Sequence, residues 1–158
     1  MAFPLPPPMR RALELARQAA DDGEVPVGAV VTGGDGQIIA QARNVMRGSY
    51  DPTAHAEVVA IRDACKNIGN FQLDDCEVYT SCEPCPMCLG ALYWARVKKV
   101  VYANTRYDAA AIEFDDDFIY QEINTSFMHR QIPFVHLPHP EAIKVFKEWQ
   151  DLESKLRY

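Results

Sequence analysis

The sequence contains no apolar run approaching the roughly 18 residues that a membrane span requires. Its opening, MAFPLPPPMRR, has no apolar stretch of about 7–15 residues such as a secretory leader carries. No secretory signal and no membrane partner are therefore expected, and the expected location is cytoplasmic. Runs of basic residues are also missing. Lys and Arg occur at most in pairs, at Arg10-Arg11 and Lys98-Lys99, and the formal net charge is −6. Polyanion binding draws much of its affinity from neutralising phosphates, so an acidic chain without a basic run disfavours a nucleic-acid partner. A small molecule fits better. Cysteine is scarce and odd in number: five in all, every one of them between Cys65 and Cys88. That crowding suits a metal site in a reducing compartment better than a secreted disulfide framework.

What is present is an ordinary globular composition, 48% hydrophobic and 24% charged over 158 residues, enough for one domain with a sizeable core. Residues 1–8 are expected to form a disordered or polyproline lead-in. Met9, Leu13, Ala16 and Ala20 have helical spacing. VPVGAVV (25–31), the turn GGDGQ (33–37) and QIIAQA (37–42) predict a hairpin. A helix is predicted over 54–67, ended by Gly69, followed by a strand at 76–80. Pro84 is expected to open the next helix, and KKVVYA (98–103) reads as a core strand. Residues 104–126 are polar and acidic with a short apolar FIY inside them. A last strand at 131–137, with Pro133 suggesting an edge, and an amphipathic helix from Glu141 to Leu156 complete the chain. The order implies one α/β domain over residues 1–158, a three-layer α/β/α sandwich with a five-stranded mixed sheet.

The chemistry concentrates in two short stretches. His55-Ala56-Glu57 stands at one predicted helix start and Pro84-Cys85-Pro86-Met87-Cys88 at another. Cysteines at i and i+3 face the same way on a helix. With one histidine they supply three ligands suited to Zn2+, leaving a fourth position open. The pattern H-x-E…P-C-x-x-C is that of the zinc deaminases, in which the glutamate is a general acid/base and not a ligand. Glu57 is thus the candidate proton carrier, and the Cys85 N–H is the one backbone donor retained between residues 84 and 86. Cys82 leaves an alternative: with His55, Cys85 and Cys88 it could close a structural Cys3His site. Cys65 and Cys76 read as small buried hydrophobes.

At these residues the chain resembles the cytidine-deaminase-fold nucleobase deaminases, and within them the guanine deaminase branch. The resemblance is carried by DPTAHAEVVAIRDACK (51–66), LDDCEVYTSCEPCPMCLGALYWAR (73–96) and FDDDFIYQEI (114–123). It implies one zinc per subunit, held by His55, Cys85 and Cys88, with Glu57 as general acid/base, beside the Cys85 N–H already read as a catalytic candidate from its flanking prolines. It further implies a purine base held by Asn44, Asp116 and Tyr158, with Trp94 as a wall of the pocket. It implies a homodimer that exchanges its C-terminal segment, so that Asp116 and Tyr158 serve the neighbouring site. Val27 departs from the branch, where phenylalanine is common. The implied reaction is hydrolytic deamination of guanine to xanthine and ammonia. The alternatives are another aminopurine, a guanine nucleoside or tRNA adenosine as substrate, and a non-catalytic zinc module.

Overall fold

The computed structural model describes residues 3–158. Two compact units make up the chain, one up to Gln121 and the other from Glu122 to Tyr158. The start of the expected lead-in, residues 1 and 2, lies outside the described residues.

In the first unit, α1 (Pro7–Asp21) begins earlier than its apolar spacing predicts, because Pro7 and Pro8 occupy first-turn positions whose N–H groups have no helical partner anyway. The hairpin forms as expected from β1 (Gly28–Thr32) and β2 (Ile38–Arg43). A short α2 (Met46–Ser49) follows, then α3 (Ala56–Ile68), which ends at Gly69 with φ 67°. Next come β3 (Glu77–Cys82), α4 (Pro86–Ala95) and β4 (Lys99–Asn104).

The sheet order is β2-β1-β3-β4, with β1 antiparallel to both β2 and β3, and β3 parallel to β4. Alternation along the strands divides the core between two faces. Val30, Tyr79 and Val101 are matched across three strands and pack with Met9, Ala12 and Leu15 of α1. Ala29, Val31 and Val78 point the other way, into a core shared with Ala56, Ala60 and Ala64 of α3 and Leu92 of α4. The three layers are therefore helix, sheet, helix. Gly28 permits the close approach of α1, since a Cβ there would collide with the Ala12 carbonyl.

Among the described residues the sheet has four strands, not the five expected. The segment 131–137 pairs with nothing in a ladder, and two of its positions have no backbone donor to give one. Gln131 N donates to Glu122 Oε2 at 2.9 Å, and Pro133 has no N–H. In its place the second unit builds a turn around Arg130. Nε of that residue donates to the carbonyls of Glu122 (2.9 Å) and Thr125 (3.1 Å). The guanidinium lies over Phe127 (4.5 Å) and Phe134 (5.0 Å), whose rings stack at 5.5 Å. Helix α7 (Pro140–Asp151) ends short of Leu156, where Lys155 Nζ turns back onto the Gln150 and Leu152 carbonyls.

The acidic stretch 104–126 holds two helices that its polarity concealed, α5 (Arg106–Ala111) and α6 (Asp117–Ile123). Thr105 and Asp108 form a capping box that starts α5: each side chain bonds the other's backbone N–H.

Candidate active site

Helices α3 and α4 present their N-terminal ends to one place. His55 is the residue before α3 and Cys85 the residue before α4. Cys85 was expected inside the first turn but is the N-cap, with φ −66° and ψ 168°. Pro86 is the cause, since a residue preceding proline is pushed out of helical geometry. The consequence is chemical. The Cys85 sulfur takes the capping role normally filled by Ser or Asp and accepts from Cys88 N at 3.5 Å.

His55 Nδ1 lies 3.5 Å from Cys85 Sγ and 3.6 Å from Cys88 Sγ. Tetrahedral zinc with Zn–S of about 2.3 Å and Zn–N of about 2.0–2.1 Å places such ligands about 3.6 Å apart, so the three residues fit the ion. All three ligand atoms lie within 4.8 Å of one another. The Cys85 thiol is held well below its ordinary pKa by its contacts with the Cys88 thiol and with His55, and the Cys88 thiol is pushed up by its neighbour. His55 is raised, chiefly through the same Cys85 contact.

Glu57 occupies the first turn of α3 and is buried, which raises its carboxyl pKa. Its two oxygens have different neighbours. Oε1 accepts from the Thr80 hydroxyl at 3.1 Å, and Oε2 lies 3.4 Å from Cys88 Sγ.

Cys82 is built into a different environment. As the last residue of β3 it pairs with Asn104 in the ladder, and its side chain joins the main core. Burial, with Glu57 and Asp116 nearby, pushes its thiol up to about 11. Cys85 and Cys88 instead form a separate small cluster with Val58. Substituting Cys82→Ser is therefore expected to leave about one zinc per chain and turnover within roughly threefold of the parent. Zinc analysis of the purified variant checks this, and a zinc-free protein would restore the closed Cys3His alternative.

Two further side chains expected at the site are buried in the first unit, and each has a polar atom without a hydrogen-bond partner: Asn44 Nδ2 and Asp116 Oδ1. Asn44 is oriented by its other atom, since Oδ1 accepts from Ala56 N at 2.7 Å between His55 and Glu57. Its backbone N–H donates to the carbonyl of Val27 at 3.1 Å. Asp116 immediately precedes α6, and burial followed by the nearby Cys85 raises its pKa. Helix α6 is tied to the ligand loop by Tyr120, whose hydroxyl donates to the Pro84 carbonyl at 3.1 Å. Phe114 packs its ring 5.8 Å from that of His55. Trp94 lies on α4 and is largely exposed, and Tyr158 belongs to the second unit.

Sequence reasoning singled out neither Thr80 nor Tyr120. Thr80 had a usable signal: a polar residue at an inward position of the apolar strand EVYTSC asks for a buried partner. Tyr120 had none, because α6 itself was not foreseen.

Residues 7–104 match the cytidine and deoxycytidylate deaminase zinc-binding region, a span that contains His55, Glu57, Cys85 and Cys88. The chain belongs to this zinc deaminase family. Zinc is the family's cofactor, and the ligand geometry above suits it. Among the deaminases, the guanine deaminase of Bacillus subtilis (strain 168) is 51% identical over 151 residues, covering 95% of this chain and 96% of that protein. Its X-ray structure superposes with a TM-score of 0.91 over 96% of each chain. The tRNA-specific adenosine deaminase of Haemophilus influenzae is 43% identical over 114 residues, 70% of this chain and 66% of that protein. Another deaminase-fold structure, 35% identical with a TM-score of 0.66 over 69% of this chain and 61% of that one, holds 2,6-diaminopurine.

Proposed function

We propose that this protein hydrolyses guanine to xanthine and ammonia. The observation that carries the choice of base is the pair of unpartnered buried atoms beside the ligand cluster, one donor and one acceptor. A buried polar group left unpaired costs about 1–3 kcal/mol, so both atoms call for a complementary ligand. Asn44 Nδ2 offers a hydrogen to a ring nitrogen or carbonyl oxygen of a purine. A carboxylate oxygen of Asp116 accepts from N–H groups, which guanine carries at N1 and at its exocyclic amine. Adenine has no N–H at N1, so with its amine-bearing carbon at the cluster it offers that acceptor no adjacent ring N–H. The extensive similarity to a guanine deaminase points the same way.

Zinc held by His55, Cys85 and Cys88 supplies Lewis-acid activation of water at neutral pH. The chain's own residues do the rest. Asn44 and Asp116 fix the plane and edge of the base, so that the carbon bearing the amine faces the cluster. Glu57 takes a proton from the attacking water and delivers protons to the ring nitrogen and to the departing amine. Water adds its oxygen to carbon, the C–N bond breaks, and ammonia leaves. The Cys85 N–H, a backbone donor retained between two prolines at a helix start, would steady negative charge as it develops. All five cysteines are unpaired, which suits a reducing cytoplasm.

The second unit fits an exchange of C-terminal segments between two copies. Ile143, Phe146 and Trp149 of α7 are exposed in the single chain, an apolar face that a second subunit would cover. In that dimer Tyr158 completes the neighbour's pocket, and Trp94 belongs to the same wall.

Purified protein with guanine should lose the guanine absorbance and release ammonia in equal amounts, with adenine slower by about 10²-fold or more because it offers the buried acceptor no adjacent ring N–H. Deleting Tyr158 should lower turnover, and unchanged kinetics would remove the terminus from the site. Turnover of an anticodon stem-loop without turnover of guanine would overturn the main reading.

A further inference from the structure

We propose that Thr80 is the positioning residue for Glu57: its hydroxyl pins one carboxyl oxygen so that the other faces the ligand cluster. This rests on the deamination reading above. Glu57 rides on α3, where its own backbone N–H is a hydrogen-bond partner of the carboxyl. A second anchor comes from a different layer. Thr80 sits on β3, paired on one side with Ala29 and on the other with Tyr102, and it is fully buried. A β-branched side chain in a central strand has few rotamers, so its hydroxyl is a rigid reference point.

The distances assign the two oxygens. Oε1 is 3.1 Å from Thr80 Oγ1, and Oε2 is 3.4 Å from Cys88 Sγ, on the side of the ligand cluster. Thr80 Oγ1 also lies 3.0 Å from the Cys82 carbonyl. One hydroxyl hydrogen serves one acceptor at a time, and a hydroxyl can accept as well as donate. The same contact therefore holds the carboxyl with or without its proton, the hydroxyl turning to the Cys82 carbonyl when it accepts. Threonine's methyl keeps the strand packed while its hydroxyl does the aiming.

The test compares the parent with Thr80→Val, which keeps the shape without the hydroxyl, and with Thr80→Ser, which keeps the hydroxyl. For Thr80→Val, kcat should fall by about 10- to 100-fold, the scale of a small misplacement of a catalytic group, with KM within about twofold and about one zinc per chain. Thr80→Ser should return kcat to within about threefold of the parent. The inference is overturned if Thr80→Val keeps parental kcat, if it loses zinc, or if Thr80→Ser is as impaired as Thr80→Val. A parent that turns over a different aminopurine overturns the guanine reading alone, and the same three-way comparison on that substrate then decides the role of Thr80. A parent inactive on every aminopurine overturns both.

Discussion

Replacing Glu57 by Gln is expected to leave about one zinc per chain while kcat falls by about 10³-fold or more, within the range that a general acid/base contributes. The amide has the shape of the carboxyl and can keep the contact with Thr80 at Oε1, so the local structure should survive. What it cannot do is accept a proton from water and pass it on. Glu57 is separate from the ligand cluster of His55, Cys85 and Cys88, which is why zinc content and activity should part company. Glu57→Ala should behave alike in both respects, showing that proton transfer and not bulk is lost. Zinc analysis together with ammonia release checks the pair. Substantial activity in either variant would remove Glu57 from the mechanism and favour a zinc site that only supports the fold.

Replacing Cys88 by Ala should have the opposite signature, with zinc and activity lost together. Cys88 is fully buried, and its sulfur stands 3.6 Å from His55 Nδ1 in ligand geometry. Without it the ion keeps two protein ligands, and the N-terminal ends of α3 and α4 lose their common tie. A ligand present at about 1,000 times its dissociation constant stabilises the folded state by about 4 kcal/mol. At about 2–4 °C per kcal/mol for a chain of this size, the variant should melt on the order of 10 °C below the zinc-loaded parent. Parent stripped by a chelator should melt at a similarly reduced temperature and recover on adding zinc, which the variant should not do. A Cys88→Ala protein that retains zinc and turnover would transfer the ligand role elsewhere, with Cys82 the first suspect.

The fold was legible where periodicity is local and strong. The hairpin, α3, β3, α4 and β4 stand within a few residues of their expected positions, because apolar spacing and Gly69 mark them. Helices α5 and α6 were hidden by polar composition: a capping box holds one, and the other has too short an apolar stretch to show a period. The expected fifth strand failed for a related reason. Residues 131–137 have strand-like composition, but a strand is defined by its partner, and Gln131 and Pro133 have no donor left to offer one.

By itself the sequence determined the chemistry of the site. Cys85 and Cys88 stand together at one helix start, and His55 and Glu57 stand at another, because spacing of two or three residues fixes direction through backbone geometry alone. Only the tertiary structure decided which cysteine stays out of the cluster, what holds Glu57, and where Asp116 lies. Cys82 was the lesser alternative on paper, as a fourth ligand of a closed site, and in the structure it pairs with Asn104 in the ladder with its side chain in the core. Thr80 meets Glu57 across 23 residues, and Asp116 comes near Cys85 from across 31. Such meetings depend on strand register and on how helices seat against the sheet, which short-range spacing does not encode.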